Sequence, residues 1–173
     1  MNIGDKERTE NIKTYFFRAR QRIVGLVDGS DNQFYAEGLK DIWYSFDAFL
    51  GVHFPKSNNK AMRDNFCKTY QKIFEIWNMS CDFKDVINRL RVLSPVPDMS
   101  PINPKKDVSL TDINNLSQIL EVSYRVRSNL SHGSKDLERQ DEVGNRNRDL
   151  VKFSFISTYY LLERVLINKH LIS

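Results

Sequence analysis

The residues with the clearest potential for chemistry lie in one short stretch, Tyr124-Arg-Val-Arg-Ser-Asn-Leu-Ser-His-Gly133. Here Arg127 and His132 are separated by four residues, three of which are small and polar. A guanidinium group can neutralise a phosphate through two parallel hydrogen bonds, and an imidazole can move a proton at neutral pH. The pair therefore suits phosphodiester cleavage, and RNA supplies its own nucleophile, the 2′-hydroxyl group, so the reaction requires no metal in principle.

Helical spacing places Arg127 close to the core-facing side of its segment. It follows Ser123 by one turn and Leu120 by two, so these residues share one side of a helix. An arginine in such a position is costly unless an anionic or polar group meets it. His132 lies about 7.5 Å further along the helix axis, which the long arginine side chain can span.

Other basic residues near this stretch are candidates for phosphate contacts. We predict an RNA-binding set of Arg125, Lys135, Arg146 and Arg148, although acidic residues are interleaved with it. Arg125 also has suitable spacing to His132. Its side chain would point about 200° away from that of Arg127 on a helix that turns 100° per residue, so we favour Arg127 as the catalytic arginine.

Each of these interpretations has an alternative. Arg164 and His170 have a similar spacing, but we reject this pair because the residues between them are mostly apolar. Arg127 and His132 themselves could have a structural role, the arginine in an ion pair and the histidine near a helix C-terminus, where the helix dipole favours it.

Three arginines on the first predicted helix have two interpretations. Arg18, Arg20 and Arg22 could form a patch that faces RNA. Their alternate spacing distributes them around the helix, which favours an ordinary solvated surface.

The elements that must position these residues are helices. Apolar residues recur at steps of three and four along segments near 5–26, 39–50, 62–77 and 83–93. Ser109 and Asp112 have the spacing of a capping box, which predicts that a fifth helix begins there and ends near Gly133. After a polar stretch over 134–147, a last helix over about 148–170 is apolar almost all round, so we expect it in the core or at a subunit interface.

The one clear break in the chain is rich in proline. Four of the five prolines lie between Pro95 and Pro104, and proline disfavours helix both at its own position and at the one before. We interpret 94–108 as a long connection inside one domain, because neither side alone has enough apolar residues for a separate core. The sequence thus predicts an all-α fold, a single-domain bundle of about six helices over residues 1–173.

Composition excludes several classes of protein. With 173 residues and 40% hydrophobic residues, the chain can bury a core and is too apolar to be disordered. No apolar run approaches the roughly 20 residues that span a bilayer, and the start does not resemble a signal peptide, so we expect a cytoplasmic protein with no membrane partner. The net charge of +4 permits a nucleic-acid partner without requiring one. Two cysteines and three histidines lack metal-ligand spacing, and we expect neither a metal nor a cofactor.

In this helical context, the stretch resembles the HEPN superfamily of small all-α domains. The hallmark of that family is an arginine, four to six residues and then a histidine, which Arg127-Ser-Asn-Leu-Ser-His132 fits in its four-residue form. The resemblance is strongest from about Ile113 to Leu166 and includes the long apolar helix that follows the polar stretch.

The resemblance implies a metal-independent endoribonuclease that dimerises so that two motifs face one RNA cleft. It implies acid–base chemistry for His132 and phosphate stabilisation for Arg127, and we assign local hydrogen bonding to Ser128 and Asn129. Many members are toxins or antiphage effectors, so the expected partners are RNA, a second copy, and an antitoxin or defence-system protein. Ser128 stands where the family usually has Asn, Asp or His. The alternative is therefore a catalytically inactive HEPN-like module that binds RNA, a nucleotide or a protein.

Overall fold

The computed structural model describes residues 3–25, 32–55, 58–77, 81–97, 106–131, 137 and 141–173. Within these residues the chain forms six helices and no strand: α1 Ile3–Val24, α2 Asn32–His53, α3 Asn59–Trp77, α4 Cys81–Leu93, α5 Leu116–Ser131 and α6 Glu142–Asn168. The predicted all-α bundle is confirmed. None of the described helices is both long and apolar enough to cross a bilayer.

The last helix, α6, forms the centre of the bundle. It packs against α1, α2, α4 and α5, and its buried residues, which include Leu150, Phe155 and Leu162, occur on several sides of the helix. A helix surrounded in this way needs apolar side chains around most of its circumference, which explains the pattern in the sequence. Of the two places predicted for this helix, the core and a subunit interface, the structure shows the core.

Two helices begin at places that the sequence did not indicate. The capping box predicted at Ser109 does not form; α5 begins at Leu116 instead, and the Oδ1 atom of Asn115 accepts a hydrogen bond from the backbone N–H of Gln118 at 3.1 Å. Asparagine is as effective an N-cap as serine. Similarly, α6 begins before the predicted start near Arg148, within the polar stretch, where the Oδ1 atom of Asp141 accepts from the backbone N–H of Gly144 at 2.9 Å.

The described ends of the proline-rich connection are held together and against the bundle. Val96 and Val108 form an antiparallel bridge with N···O distances of 2.7 and 2.9 Å. On α5, the Nδ2 atom of Asn129 donates a hydrogen bond to the carbonyl oxygen of Pro97 at 2.9 Å. The first part of the connection therefore contacts α5 near the C-terminal end of that helix.

On α2, Gly38 packs directly against the ring of Phe155 on α6. A Cβ atom at this position would lie 2.6 Å from the Cζ atom of the Phe155 ring, a distance that forces the ring to move. Glycine is thus favoured here because the Phe155 ring fills the space that a side chain would occupy.

We expect Gly38→Ala to destabilise the protein by about 1–3 kcal/mol, the usual result of overpacking a core, despite the gain of about 0.5–1 kcal/mol in helix propensity. Urea denaturation measures this free energy of unfolding. The matched control is Gly51→Ala in the same helix, where a Cβ atom would make an ordinary contact of 3.5 Å with Arg8. This variant should be neutral or slightly more stable. Similar effects of both substitutions would contradict the close contact at Gly38.

Candidate functional site

Hydrogen bonds between buried side chains fix α5 against α2 and α6. The indole N–H of Trp43 donates to the Oγ atom of Ser123 at 3.2 Å, and this oxygen lies 2.6 Å from the Oγ1 atom of Thr158. All three side chains are buried. A buried donor that loses its partner lowers the free energy of unfolding by about 1–3 kcal/mol. These bonds therefore fix both the rotation of α5 about its axis and its position along that axis.

The next turn of the same two helices brings Arg127 to Asp47. Arg127 follows Ser123 by one turn on α5, and Asp47 follows Trp43 by one turn on α2. Because residues one turn apart share a helix face, the Trp43–Ser123 contact places this second pair together. The Nη2 atom of Arg127 lies 3.8 Å from the Oδ2 atom of Asp47, and the two side chains are 23% and 30% exposed. Arg127 therefore lies at the edge of the core, as its spacing predicted.

The electrostatics of this pair are dominated by burial. Burial raises the pKa of the Asp47 carboxyl above its ordinary value of 3.8, and the positive charges of Arg127 and Arg63 oppose this shift. The ionised carboxylate is therefore less favourable here than in water. The two arginines offset part of that penalty.

Arg63 extends the cluster from α3. Its Cζ atom lies 3.9 Å from the centroid of the Tyr124 ring, a short cation–π contact, and its Nη2 atom lies 3.8 Å from the Oε2 atom of Glu121. The residue is only 7% exposed, and its buried Nη1 atom has no hydrogen-bond partner among the described residues. Arg63 thus adds a second, interior positive charge behind Asp47.

The sequence analysis did not identify Asp47 or Arg63. A signal for Asp47 is present, because this acid interrupts the largely apolar run from Trp43 to Leu50. Arg63 has no comparable signal, since its burial depends on how α3 packs against α5.

Of the other predicted catalytic residues, the structure describes Ser128 and Asn129. Ser128 is half-buried next to Arg127, whereas Asn129 is buried and holds Pro97. His132 lies outside the described residues, as does Lys135 of the predicted RNA-binding set. The described structure therefore places Arg127 and its partners but does not describe the Arg127–His132 pair.

Of the two arginines of α5, Arg125 differs from expectation in its burial. From helical spacing, Arg127 was expected on the core side and Arg125 well away from it. Arg125 is instead only 7% exposed, more deeply buried than Arg127, because α5 is enclosed by α2, α3 and α6. A guanidinium group in this interior position is not on the surface that RNA would contact.

The remaining predicted RNA-binding arginines bind carbonyl groups of their own chain. An Nη2–H group of Arg146 donates to the carbonyl oxygens of Leu93 and Pro95 at 2.7 and 2.6 Å. Arg148 donates to the carbonyl oxygen of Leu137 at 3.1 Å. In the described structure both arginines hold connecting segments against the start of α6.

The rejected pair, Arg164 and His170, does not come together. Arg164 lines a cleft between α3, α4 and α6 whose other walls include Trp77, Phe83 and Tyr160. His170 follows the end of α6 and lines a separate groove beside α1. The two side chains therefore belong to different surfaces, which agrees with the rejection.

Within the described part of the chain, no group of three His, Cys, Asp or Glu residues is arranged to hold a metal ion. Comparison with known protein families, curated proteins and solved structures finds no match to this chain. Any assignment of function therefore depends on the residues themselves and on their geometry.

We expect the free energy of unfolding of wild type to fall relative to that of Asp47→Asn as pH rises. Because the pKa of Asp47 is raised above 3.8 in the folded state, the folded state binds this proton more tightly than the unfolded chain. The contribution of the carboxyl is therefore largest below the unfolded pKa and is lost as pH rises through the folded pKa. Asparagine keeps a carbonyl oxygen for Arg127 but does not titrate.

The measurement is urea denaturation of both proteins between about pH 4 and about pH 7, the range in which a raised carboxyl pKa changes stability. Asp149→Asn, at an exposed position on α6, is the control for changing a surface charge. If wild type gained stability over Asp47→Asn with rising pH, attraction by the arginines would outweigh burial, contrary to this assignment.

Proposed function

We propose that this protein is a metal-independent endoribonuclease of the HEPN type that cleaves single-stranded RNA. The observation that carries this proposal is the partly exposed guanidinium of Arg127, which lies near the end of α5, is held by Asp47, and directly precedes the segment that contains His132. A cation fixed in this way needs little reorganisation to stabilise charge that develops during a reaction.

In this proposal Arg127 binds the scissile phosphate. Its guanidinium has five N–H donors in a planar fork, and Asp47 approaches its Nη2 atom at 3.8 Å, which is too far for a strong hydrogen bond. The remaining donors suit the non-bridging oxygens of a phosphate, with the bidentate geometry that arginine favours. The contact strengthens as negative charge accumulates on these oxygens in the transition state.

His132 supplies proton transfer. As a base it accepts the proton of the 2′-hydroxyl group, whose oxygen attacks phosphorus while the bond from phosphorus to the 5′-oxygen breaks; an acid then protonates that 5′-oxygen. The products are a 2′,3′-cyclic phosphate and a 5′-hydroxyl end. Two copies of the chain facing one cleft would provide two histidines, one as base and one as acid, which favours a homodimer.

The biological role we propose is that of a toxin or antiphage effector, with an antitoxin or a defence-system protein as its regulatory partner. A catalytically inactive HEPN-like binding module is the second candidate. The Asp47–Arg127 ion pair is the observation that favours this alternative, because a guanidinium with an internal partner already has a structural role.

RNA cleavage by the purified protein in EDTA tests the proposed activity. Arg127→Ala and His132→Ala should each lower the rate by about 10²- to 10⁴-fold, the usual effect of removing an acid–base group or a charge-stabilising donor. Arg164→Ala and His170→Ala are matched controls of the same residue types at exposed positions and should retain the wild-type rate. An absence of cleavage by wild type on several RNAs would favour the binding module, and cleavage that persists in both site variants would refute this site.

Sedimentation at micromolar concentration in the presence of RNA tests the shared cleft. We expect a dimer, and we expect the cleavage rate per protomer to fall when dilution dissociates it, since each cleft needs both copies. A monomer that cleaves at the full rate would show that one copy contains a complete site.

A further inference from the structure

A row of arginine and tyrosine side chains leads across the bundle surface to Arg127. The Cζ atom of Arg127 lies 5.9 Å from the Tyr44 ring centroid, the Tyr44 and Tyr15 centroids are 5.2 Å apart, and the Cζ atom of Arg18 lies 5.3 Å from the Tyr15 centroid. These four residues, which we call the arginine–tyrosine row, come from α5, α2 and α1. The row therefore crosses three helices.

The seam between α1 and α2 continues the same pattern beyond Arg18. Arg18 and Arg22 line a shallow groove together with Gln21 and Phe34, and the Cζ atom of Arg22 lies 5.4 Å from the Phe34 ring centroid. Arginines and aromatic rings thus lie side by side from Arg127 to the end of α1.

The residues of this row are more exposed than the aromatic residues by which α2 packs into the core. Trp43, Phe46 and Phe49 are fully buried, whereas Tyr44 is 48% exposed. Tyr15 is half-buried and Arg18 is exposed. Single exposed aromatic residues are common on protein surfaces, but here two neighbouring rings are bracketed by cations and lead to the proposed phosphate-binding arginine.

The charges along the row favour an anionic ligand. The acids nearest to it already have partners, because Arg22 binds Asp41 at 3.2 Å and Glu37 at 2.9 Å, and Asp47 faces Arg127. Lys40, which is exposed and lies one turn before Tyr44 on α2, adds a further positive charge. Arginine and tyrosine are also enriched at protein interfaces, and the positive charge of the row with Lys40 beside it is what favours an anionic strand over a polypeptide.

We propose that the arginine–tyrosine row binds single-stranded RNA and directs one phosphate of the strand to Arg127. Unpaired bases stack on aromatic side chains while cations follow the phosphates, and the row presents both kinds of group side by side. Duplex RNA hides its base faces and should bind less tightly. The delivery to Arg127 rests on the proposed ribonuclease function, whereas binding along the row is testable without cleavage.

Fluorescence anisotropy with a labelled, unstructured RNA of about 12 nucleotides, within the length that such surfaces cover, tests the row. The parent protein is His132→Ala, so that the RNA remains intact. Tyr44→Ala should raise the Kd roughly 5- to 150-fold, the effect of losing one stacked base. Tyr44→Phe keeps the ring and should bind like the parent, which separates stacking from any effect on folding.

Matched controls lie on another face of the bundle. Tyr160→Ala removes a ring that is 40% exposed and should leave the Kd unchanged.

The salt dependence of binding tests the cations of the row. Arg18→Ala should reduce the slope of log Kd against log salt by about 0.7, the value for one phosphate contact to a single strand. Arg164→Ala should leave this slope unchanged.

The results separate this inference from the ribonuclease proposal. Binding that depends on Tyr44, in a protein that never cleaves, would support the row and refute the activity. Cleavage that depends on His132, with an unchanged KM in Tyr44→Ala, would support the activity and overturn the row. A parent that does not bind RNA would also overturn it, as would Tyr44→Ala that alters self-association without altering RNA affinity, because the surface would then join two copies of the chain.

Discussion

The hydrogen bond from Trp43 to Ser123 is the constraint on which the candidate site depends. Both partners are buried, and the same serine hydroxyl contacts Thr158 on α6, so rotation of α5 would leave polar groups unpaired in the core. With α5 fixed in this way, Arg127 has to meet Asp47 one turn further along. The position of the partly exposed arginine is therefore determined by the interior of the bundle, and the surface contributes little to it.

The fold was largely predictable, because a periodicity of three and four residues reports directly which side of a helix is buried. The central place of α6 followed from its lack of a polar face. The predicted starts of α5 and α6 were wrong because several nearby residues can cap a helix. Ser109, Asn115 and Asp141 are all of residue types that do so. Only the packing against the rest of the bundle determines which of them does so.

The candidate site was predictable only in part. The spacing of Arg127 indicated an arginine at the core edge that needs an anionic partner, and the structure provides one. The identity of that partner was not predictable, because α2 and α5 meet through residues 80 positions apart in sequence, and no local pattern encodes which faces touch. The burial of Arg125 was missed for a related reason, since helical spacing assumes one buried side whereas α5 is enclosed on several.

The surface that leads to Arg127 depends on one helix pair. The packing of α1 on α2 is the most extensive between any two of the described helices, whereas α1 makes only a minor contact with α6. Opening of α1 would remove Tyr15 and Arg18 from Tyr44 while leaving Tyr44 beside Arg127. Such an opening has to break the α1–α2 packing, so the continuity of the row is as stable as that one interface.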